Sequence, residues 1–208
     1  MTASYPPKSC LGVQGYALVT GGGSGIGRAT SLLLAREYCA GIALADINQG
    51  GIDKVKAELE SVATNPDFKC ITIVVNVADE DSVRNMVSKA VEAFGRIDYA
   101  ANIAGIGAVK GPIAESKMED WNKMIAVNLT GVFICAKECI MQMMKQEPRK
   151  SDKYGSTLPY IKNWEEQADF SIVHMLHYSV DLLLILLPWQ VLQVYIIQGR
   201  TLPQNMVW

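Results

Sequence analysis

The chain has 208 residues, 50% hydrophobic and 19% charged, with a formal net charge of -2. That is enough apolar material for one cored domain and too much for a disordered tail. A near-neutral balance without long runs of like charge excludes a basic footprint, so no nucleic-acid partner is expected.

Five cysteines occur (Cys10, Cys39, Cys70, Cys135 and Cys139), an odd number with no Cys-x-x-Cys pair. This argues against a disulfide framework and a zinc site, and no metal is expected. A reducing, cytoplasmic compartment fits that usage. Cys135 and Cys139 lie four apart on a predicted helix and read as two small core residues. The N-terminal MTASYPPKSC is polar and broken by two prolines, so it reads as a frayed lead-in rather than a signal peptide.

In chain order, GYALVT (15–20) reads as a buried strand followed at once by GGGSGIG. Helical spacing of Ile26, Ala29, Leu32, Leu33 and Ala35 predicts a helix from Gly25 to Cys39, stopped by Gly41. IALAD (42–46) is a second strand, 50–62 a second helix and CITIVV (70–75) a third strand. Asp79, Glu80 and Asp81 open a third helix that runs to Phe94 and Gly95, as the helix dipole prefers. RIDYAANIAG (96–105) is a fourth strand entering a glycine turn, and 118–146 carries one long helical pattern. Strand and helix alternate, which predicts a parallel sheet covered on both faces.

After Glu147 the rhythm stops. Residues 151–169 are polar and aperiodic, and 171–197 are strongly apolar, with Asp181 their only formal charge. The reading is therefore a domain over 1–147 and an atypical apolar tail over 148–208. A membrane span is disfavoured: 182–197 is short against the ~20 apolar residues a bilayer needs, and Pro188 and two glutamines interrupt it.

The stretch Thr20-Gly21-Gly22-Gly23-Ser24-Gly25-Ile26-Gly27 joins a strand to a helix. Glycine is required where the backbone turns tightly and approaches a pyrophosphate, and free N–H groups at a helix start stabilise phosphate charge. Asp46 closes the next strand, where a carboxylate accepts hydrogen bonds from ribose hydroxyls and repels a 2′-phosphate. Ser24 is not basic, and Ile47 and Asn48 follow Asp46, so no cation offsets that repulsion. NAD(H) is expected and NADP(H) is the disfavoured alternative. The fold class is α/β, a Rossmann-type doubly wound parallel sheet, incomplete beyond strands one to four and their helices.

TGGGSGIG, NIAG (102–105) and VNLTGVF (127–133) together resemble the short-chain dehydrogenase/reductase family over about two-thirds of the chain. The resemblance implies an oxidoreductase acting on a small alcohol or ketone, in a homo-oligomer. It places Thr20, Gly21, Ser24, Gly25, Ile26 and Gly27 against the cofactor, with Asp46 and Ile47 beside them. The family's Asp-Val pair at the adenine is here Asn76-Val77, and its Asn-Asn-Ala-Gly is Asn102-Ile103-Ala104-Gly105. Asn128 matches the helix asparagine of the catalytic tetrad, which in the family holds a water linked to the catalytic lysine. Lys123 occupies a position that is often basic and near the cofactor.

The family's proton-transfer chemistry needs a tyrosine whose pKa is pulled down by a lysine one helical turn away. No Tyr-x-x-x-Lys exists in the chain. The residues four beyond Tyr154, Tyr160, Tyr178 and Tyr195 are Leu158, Trp164, Leu182 and Gly199. Neither Ser156 nor Ser171 is assigned as the catalytic serine. For the chain as written this favours a catalytically inactive, truncated relative that binds dinucleotide or a partner, whereas the family's usual role favours the oxidoreductase for the gene, and the apolar tail keeps open a membrane-associated reading. Read one nucleotide later, codons for Val194 onward can spell Tyr-Thr-Ser-Ser-Lys-Ala-Gly, which points to a displaced frame or a retained intron. An uninterrupted frame without splice signals in the transcript would exclude it. Without strands beyond the fourth, that strand is expected to be an exposed apolar edge.

Overall fold

The computed structural model describes residues 13–107 and 112–147, together with a short strand at 196–198. Seven elements alternate first: β1 (Tyr16–Thr20), α1 (Gly25–Arg36), β2 (Gly41–Asp46), α2 (Gln49–Val62), β3 (Lys69–Val74), α3 (Glu80–Phe94) and β4 (Tyr99–Asn102). A 3₁₀ turn (Ile113–Glu115) leads to α4 (Met118–Ile125), a π-helical turn (Ala126–Gly131) and α5 (Val132–Met143), and β5 is Ile196–Gln198. The expected lead-in (1–12) and most of the tail (148–195 and 199–208) lie outside the described residues, as do the tyrosines and serines considered there.

The sheet order is β3-β2-β1-β4-β5, with β1 to β4 all parallel. β1 therefore sits between strands that leave it in opposite directions. In such a sheet the crevice at the carboxyl ends, where the order reverses, is where ligands bind. The strands are apolar on both faces because each face is covered. Val19, Ile42 and Leu44 pack with Ile52, Val55 and Leu59 of α2 on one side. On the other, Leu18, Ala43 and Ile73 meet Val83 and Met86 of α3 and Cys135 and Cys139 of α5.

Local chemistry corrects several expected boundaries. α1 ends at Arg36, and Tyr38, at φ 72, makes the left-handed turn that stops it. Gly41 is not the stop but the first residue of β2; a Cβ there would lie 2.8 Å from the Lys69 carbonyl oxygen. Ile26 and Leu33 are 39% and 48% exposed, while Leu34 and Ser31 are buried. Ser31 is tolerated there because its hydroxyl donates to the Gly27 carbonyl at 2.9 Å.

β4 is shorter than expected because side chains satisfy the backbone before it. The Asp98 carboxylate accepts the Tyr16 N–H at 2.9 Å and an Arg96 N–H at 2.7 Å. The Gln146 amide accepts from Ile97 N–H at 2.9 Å and donates to its carbonyl at 2.8 Å. The long helix expected over 118–146 runs without a gap from Met118 to Met143, with a π turn inside it. Its run Met118–Met143 is long and apolar enough, by length and composition, to cross a bilayer. Its α5 part packs on the sheet through Val132, Cys135, Cys139 and Met143, as a core helix does. The outer edge of β4 is not bare: β5 runs antiparallel along it, Tyr99 opposite Gln198 and Ala101 opposite Ile196.

Candidate dinucleotide site

The glycine loop after β1 is shaped by three different constraints. Gly21 has φ +67 and lies so close to the turn after β4 that a Cβ would sit 2.9 Å from Ala104 backbone atoms. At Gly27 a Cβ would meet the Gly21 carbonyl oxygen at 2.0 Å, which no side chain survives. Gly25, at φ +51, has nothing within 4 Å of its would-be Cβ. Gly21 and Gly27 are thus required by the loop's own packing, whereas Gly25 leaves open space beside the start of α1.

Thr20 is buried, and its hydroxyl accepts the N–H groups of Ile103 at 3.0 Å and Ala104 at 3.2 Å. Two residues expected to touch a cofactor, Thr20 and Ala104, are therefore bound to each other, and they join the loop of β1 to the turn of β4. Asp46 does something similar on the other side. One carboxylate oxygen accepts the Gly23 N–H and the other the Asn48 N–H, both at 3.0 Å. A carboxylate has about four acceptor positions, so further hydrogen bonds remain open to it.

The three helix starts at this edge differ. The Asn48 side chain accepts the Gly51 N–H at the start of α2, and Asp79 accepts from Asp81 and Ser82 at the start of α3, where Glu80 and Asp81 add negative charge. At the start of α1, Ser24 makes no side-chain cap and the first turn holds no acid. The unpaired N–H groups and positive dipole end of α1 are therefore available to an anion, and those of α2 and α3 are already answered.

Ile47, 72% exposed, flanks Asp46, and Ile26 flanks Gly25, so apolar surface borders both polar features. Asn76 and Val77 follow β3; Val77 is buried against Gly131, where a Cβ would lie 2.9 Å from Val77 Cγ2. Asn102, 1% exposed at the end of β4, has both side-chain polar atoms without a partner among the described residues. Burying an amide unpaired costs about 1–3 kcal/mol, and such groups commonly answer to a ligand. Asn128 lies in the π turn and clamps the loop after Gly105: Oδ1 accepts the Ile106 N–H at 2.8 Å and Nδ2 donates to its carbonyl at 2.9 Å. Lys123 is exposed on α4 and has no ion pair among the described residues.

Sequence reasoning missed three contributors. Arg28 follows the loop directly, but its guanidinium is held in a two-oxygen pair by Glu58 of α2. Gly131 lets the π turn approach Val77, and Ser82 accepts the Asn76 N–H at 3.0 Å. The glycine in VNLTGVF was a visible signal; the Arg28–Glu58 pair spans 30 positions and the Ser82 contact six, and neither is revealed by spacing. Three described thiols are poor nucleophiles: burial pushes Cys70 and Cys135 up to about 12 and Cys139 higher still.

Open space beside Gly25 at an uncapped helix start, a carboxylate on the next strand and a buried amide without a partner among the described residues fit a dinucleotide. The sequence model of the short chain dehydrogenase family matches residues 15–150. The chain is 38% identical over 148 residues to a short-chain dehydrogenase, anuF, of Penicillium roqueforti, a match covering 71% of this chain and 54% of the relative. It is 36% identical over 147 residues to levodione reductase of Leifsonia aquatica, covering 71% and 53%. The crystal structure of levodione reductase superposes with a TM-score of 0.59 at 37% identity, over 63% of this chain and 50% of that one. NAD+-bound xylitol dehydrogenase superposes with a TM-score of 0.59 at 33% identity, over 63% and 48%. The chain spans about half the length of the curated relatives it matches.

Proposed function

The chain belongs to the short chain dehydrogenase family, and on that premise we propose that it holds NAD(H) at the carboxyl ends of β1 to β4, in the service of hydride transfer to or from an alcohol or ketone carbon of a small molecule. The observation that carries the reading is the uncapped, acid-free start of α1 behind a loop whose Gly25 opens onto free space. When bound, the nicotinamide supplies the redox chemistry. The chain's own part is to bind and orient. N–H groups of Gly25, Ile26 and Gly27 face the pyrophosphate charge, and Asp46 accepts the adenosine ribose hydroxyls. Ile47, Asn76 and Val77 border the base. Asn102, Gly105 and Lys123 stand on the nicotinamide side.

NAD(H) is favoured over NADP(H) by two features. The Asp46 carboxylate repels a 2′-phosphate, and the guanidinium that follows the loop, Arg28, is already held by Glu58. Residues 1–147 form the binding domain in this proposal. Cytoplasmic residence is supported by the free buried thiols, and homo-oligomerisation by family membership.

A second reading is a catalytically silent dinucleotide binder. It is favoured by the lack of any Tyr-x-x-x-Lys in the 208 residues. Calorimetric titration of the 208-residue chain with NADH, followed by NAD-dependent oxidation of a panel of secondary alcohols, separates the readings. Binding with turnover supports the first, binding without turnover the second, and no binding removes both.

A further inference from the structure

Helix α5 has two flanks of opposite character. Its buried row is Val132, Cys135, Cys139 and Met143. One residue before the last two stand Glu138 and Gln142, which with Lys145 line a hollow against Arg84 and Ser88 of α3. One residue after each buried position stand Phe133, Ala136, Ile140 and Met144. A step of one residue turns about 100° around a helix, so these two rows lie on either side of the buried one. The second row is wholly apolar. Phe133 and Met144 are exposed among the described residues, Ala136 and Ile140 are half-buried, and exposed Leu129 lies one turn before Phe133.

The sheet places a particular piece of the chain beside that row. Helices α3 and α5 share one face of the sheet, with α5 over β4. The flank turned away from α3 therefore overhangs the outer side of β4, where β5 runs. The chain leaves α5 at the amino end of β4, where Gln146 clamps Ile97 and Arg96 donates to the Glu147 carbonyl at 3.4 Å. It pairs again at Ile196, opposite Ala101, toward the carboxyl end. Because β5 is antiparallel to β4, residues 148–195 have to travel back along β4 and α5 between those points. The stretch that leads into β5, 171–195, is strongly apolar, with Asp181 its only formal charge.

We propose that residues 171–195 dock on the flank of α5 formed by Phe133, Ala136, Ile140 and Met144, so that the apolar tail is a layer of the domain and not a free anchor. Phe133 to Met144 spans about 17 Å, and even a wholly helical 171–195 would reach roughly 36 Å, so the segment covers the flank with length to spare. Apolar surface on both partners leaves water together. Tethered at both ends, the segment meets the flank at an effective concentration on the order of millimolar, which a second copy at micromolar concentration does not match. A bilayer is the weaker occupant, because 182–197 is short for a span and its end is held by pairing with β4. A homo-oligomer of this chain would then assemble through another face. Docking here is independent of whether the carboxyl end of the sheet holds a dinucleotide.

The test is photo-crosslinking of the full 208-residue chain, with benzoylphenylalanine placed singly for Phe133, for Met144 and, on the opposite flank, for Lys145. Peptide mapping should find the probes at 133 and 144 joined to residues 171–195 of the same molecule, and the probe at 145 not. Two probes at opposite ends of the flank cover the case in which one of them disturbs folding. Capture of a second chain in place of the tail, seen as a doubled mass on a denaturing gel, would overturn the docking and assign the flank to a second copy. Capture of lipid from added phosphatidylcholine–phosphatidylserine vesicles would overturn it in favour of a membrane surface. Capture of nothing at 133 and 144, or equal capture of 171–195 by the probe at 145, would overturn it as well.

Discussion

Two stretches of the chain meet at the carboxyl end of β1 and are finished to different degrees. From β1 to α3, helices α2 and α3 are capped by Asn48 and Asp79, and α3 buries Val83, Met86, Val87 and Ala90. From β4 to α5, helix α4 buries no residue; Met118, Trp121, Leu129 and Phe133 are 48–68% exposed, and the Asn102 amide is unpaired. In a doubly wound sheet the first stretch meets the adenosine half of a dinucleotide and the second the nicotinamide half. In the proposed reading, holding a cofactor and using it fall on stretches finished to different degrees, although α3 of the first packs on α5 of the second.

The sharpest way to break that comparison is to separate folding from binding within the glycine loop. Gly27→Val drives side-chain atoms into the Gly21 carbonyl and should cost more than about 3 kcal/mol of stability, along with all NADH binding. Gly25→Val meets no neighbour and carries only the left-handed penalty of about 1–2 kcal/mol, yet it fills the space proposed for the pyrophosphate. Urea melts and NADH titration of both variants check this. Normal NADH binding by Gly25→Val would reduce the loop to an ordinary turn.

A comparable effect is expected on chemistry. A positioned proton-transfer group contributes ~10²–10⁴-fold, and no tyrosine in this chain has a lysine one turn away. The 208-residue form should therefore bind NADH and show no measurable alcohol oxidation. A form whose tail is re-read in the frame giving Tyr-Thr-Ser-Ser-Lys should recover turnover. Robust turnover by the parent would mean that another residue carries the proton.

The stretch from β1 to α3 was legible because its signals are local. Strand, glycine loop, helix and acidic strand end follow one another in sequence, and the Asp79 cap and Gly95 stop sit at the ends of the helix they define. What escaped was settled over distance. Thr20 reads from sequence as a loop residue at the cofactor, and nothing local shows that its hydroxyl also holds Ile103 and Ala104, more than 80 positions away. Gly41 reads as a helix stop until β3 and Phe94 are packed against it. The late start of β4 depends on Gln146, which satisfies Ile97 from beyond the end of the long helix, and no periodicity announces such a clamp.

Asp46 links loop geometry to cofactor choice, and two substitutions divide its roles. Asp46→Asn keeps an acceptor for the Gly23 N–H but loses the charge, so NADH should still bind and the preference over NADPH should narrow. Asp46→Ala also releases Gly23, and NADH affinity should fall by about tenfold or more, the worth of a hydrogen bond to a charged group. Fluorescence titration with both dinucleotides measures each effect. Equal affinities in the unmodified chain would remove the basis for preferring NAD(H).

The smallest effect probes the contrast in packing directly, through thiols placed on both sides of it. Cys70 lies in β3 and Cys135 and Cys139 in α5, all buried. Burial disfavours the thiolate and pushes Cys70 and Cys135 up to about 12, so at pH 8 none of the three should react with iodoacetamide in the folded chain. The sign of the linkage follows from the same shift. The folded state keeps protons that the unfolded chain releases above its ordinary thiol pKa near 9, so stability is intact below pH 9 and declines as pH rises toward 12. Each of the two thiols should contribute a loss of about 0.4 kcal/mol at pH 9, detectable as a smaller alkaline decline in Cys70→Ala and Cys135→Ala. Local opening follows the least buried elements, and α5 is continuous with a helix that buries nothing, whereas β3, although the edge strand, is paired with β2 and packed by α2 and α3. Low urea at pH 8 should therefore expose Cys135 and Cys139 to labelling before Cys70, with mass spectrometry locating the label. Simultaneous labelling of all three would mean that the two stretches open as one unit, and that their unequal finish has no counterpart in stability.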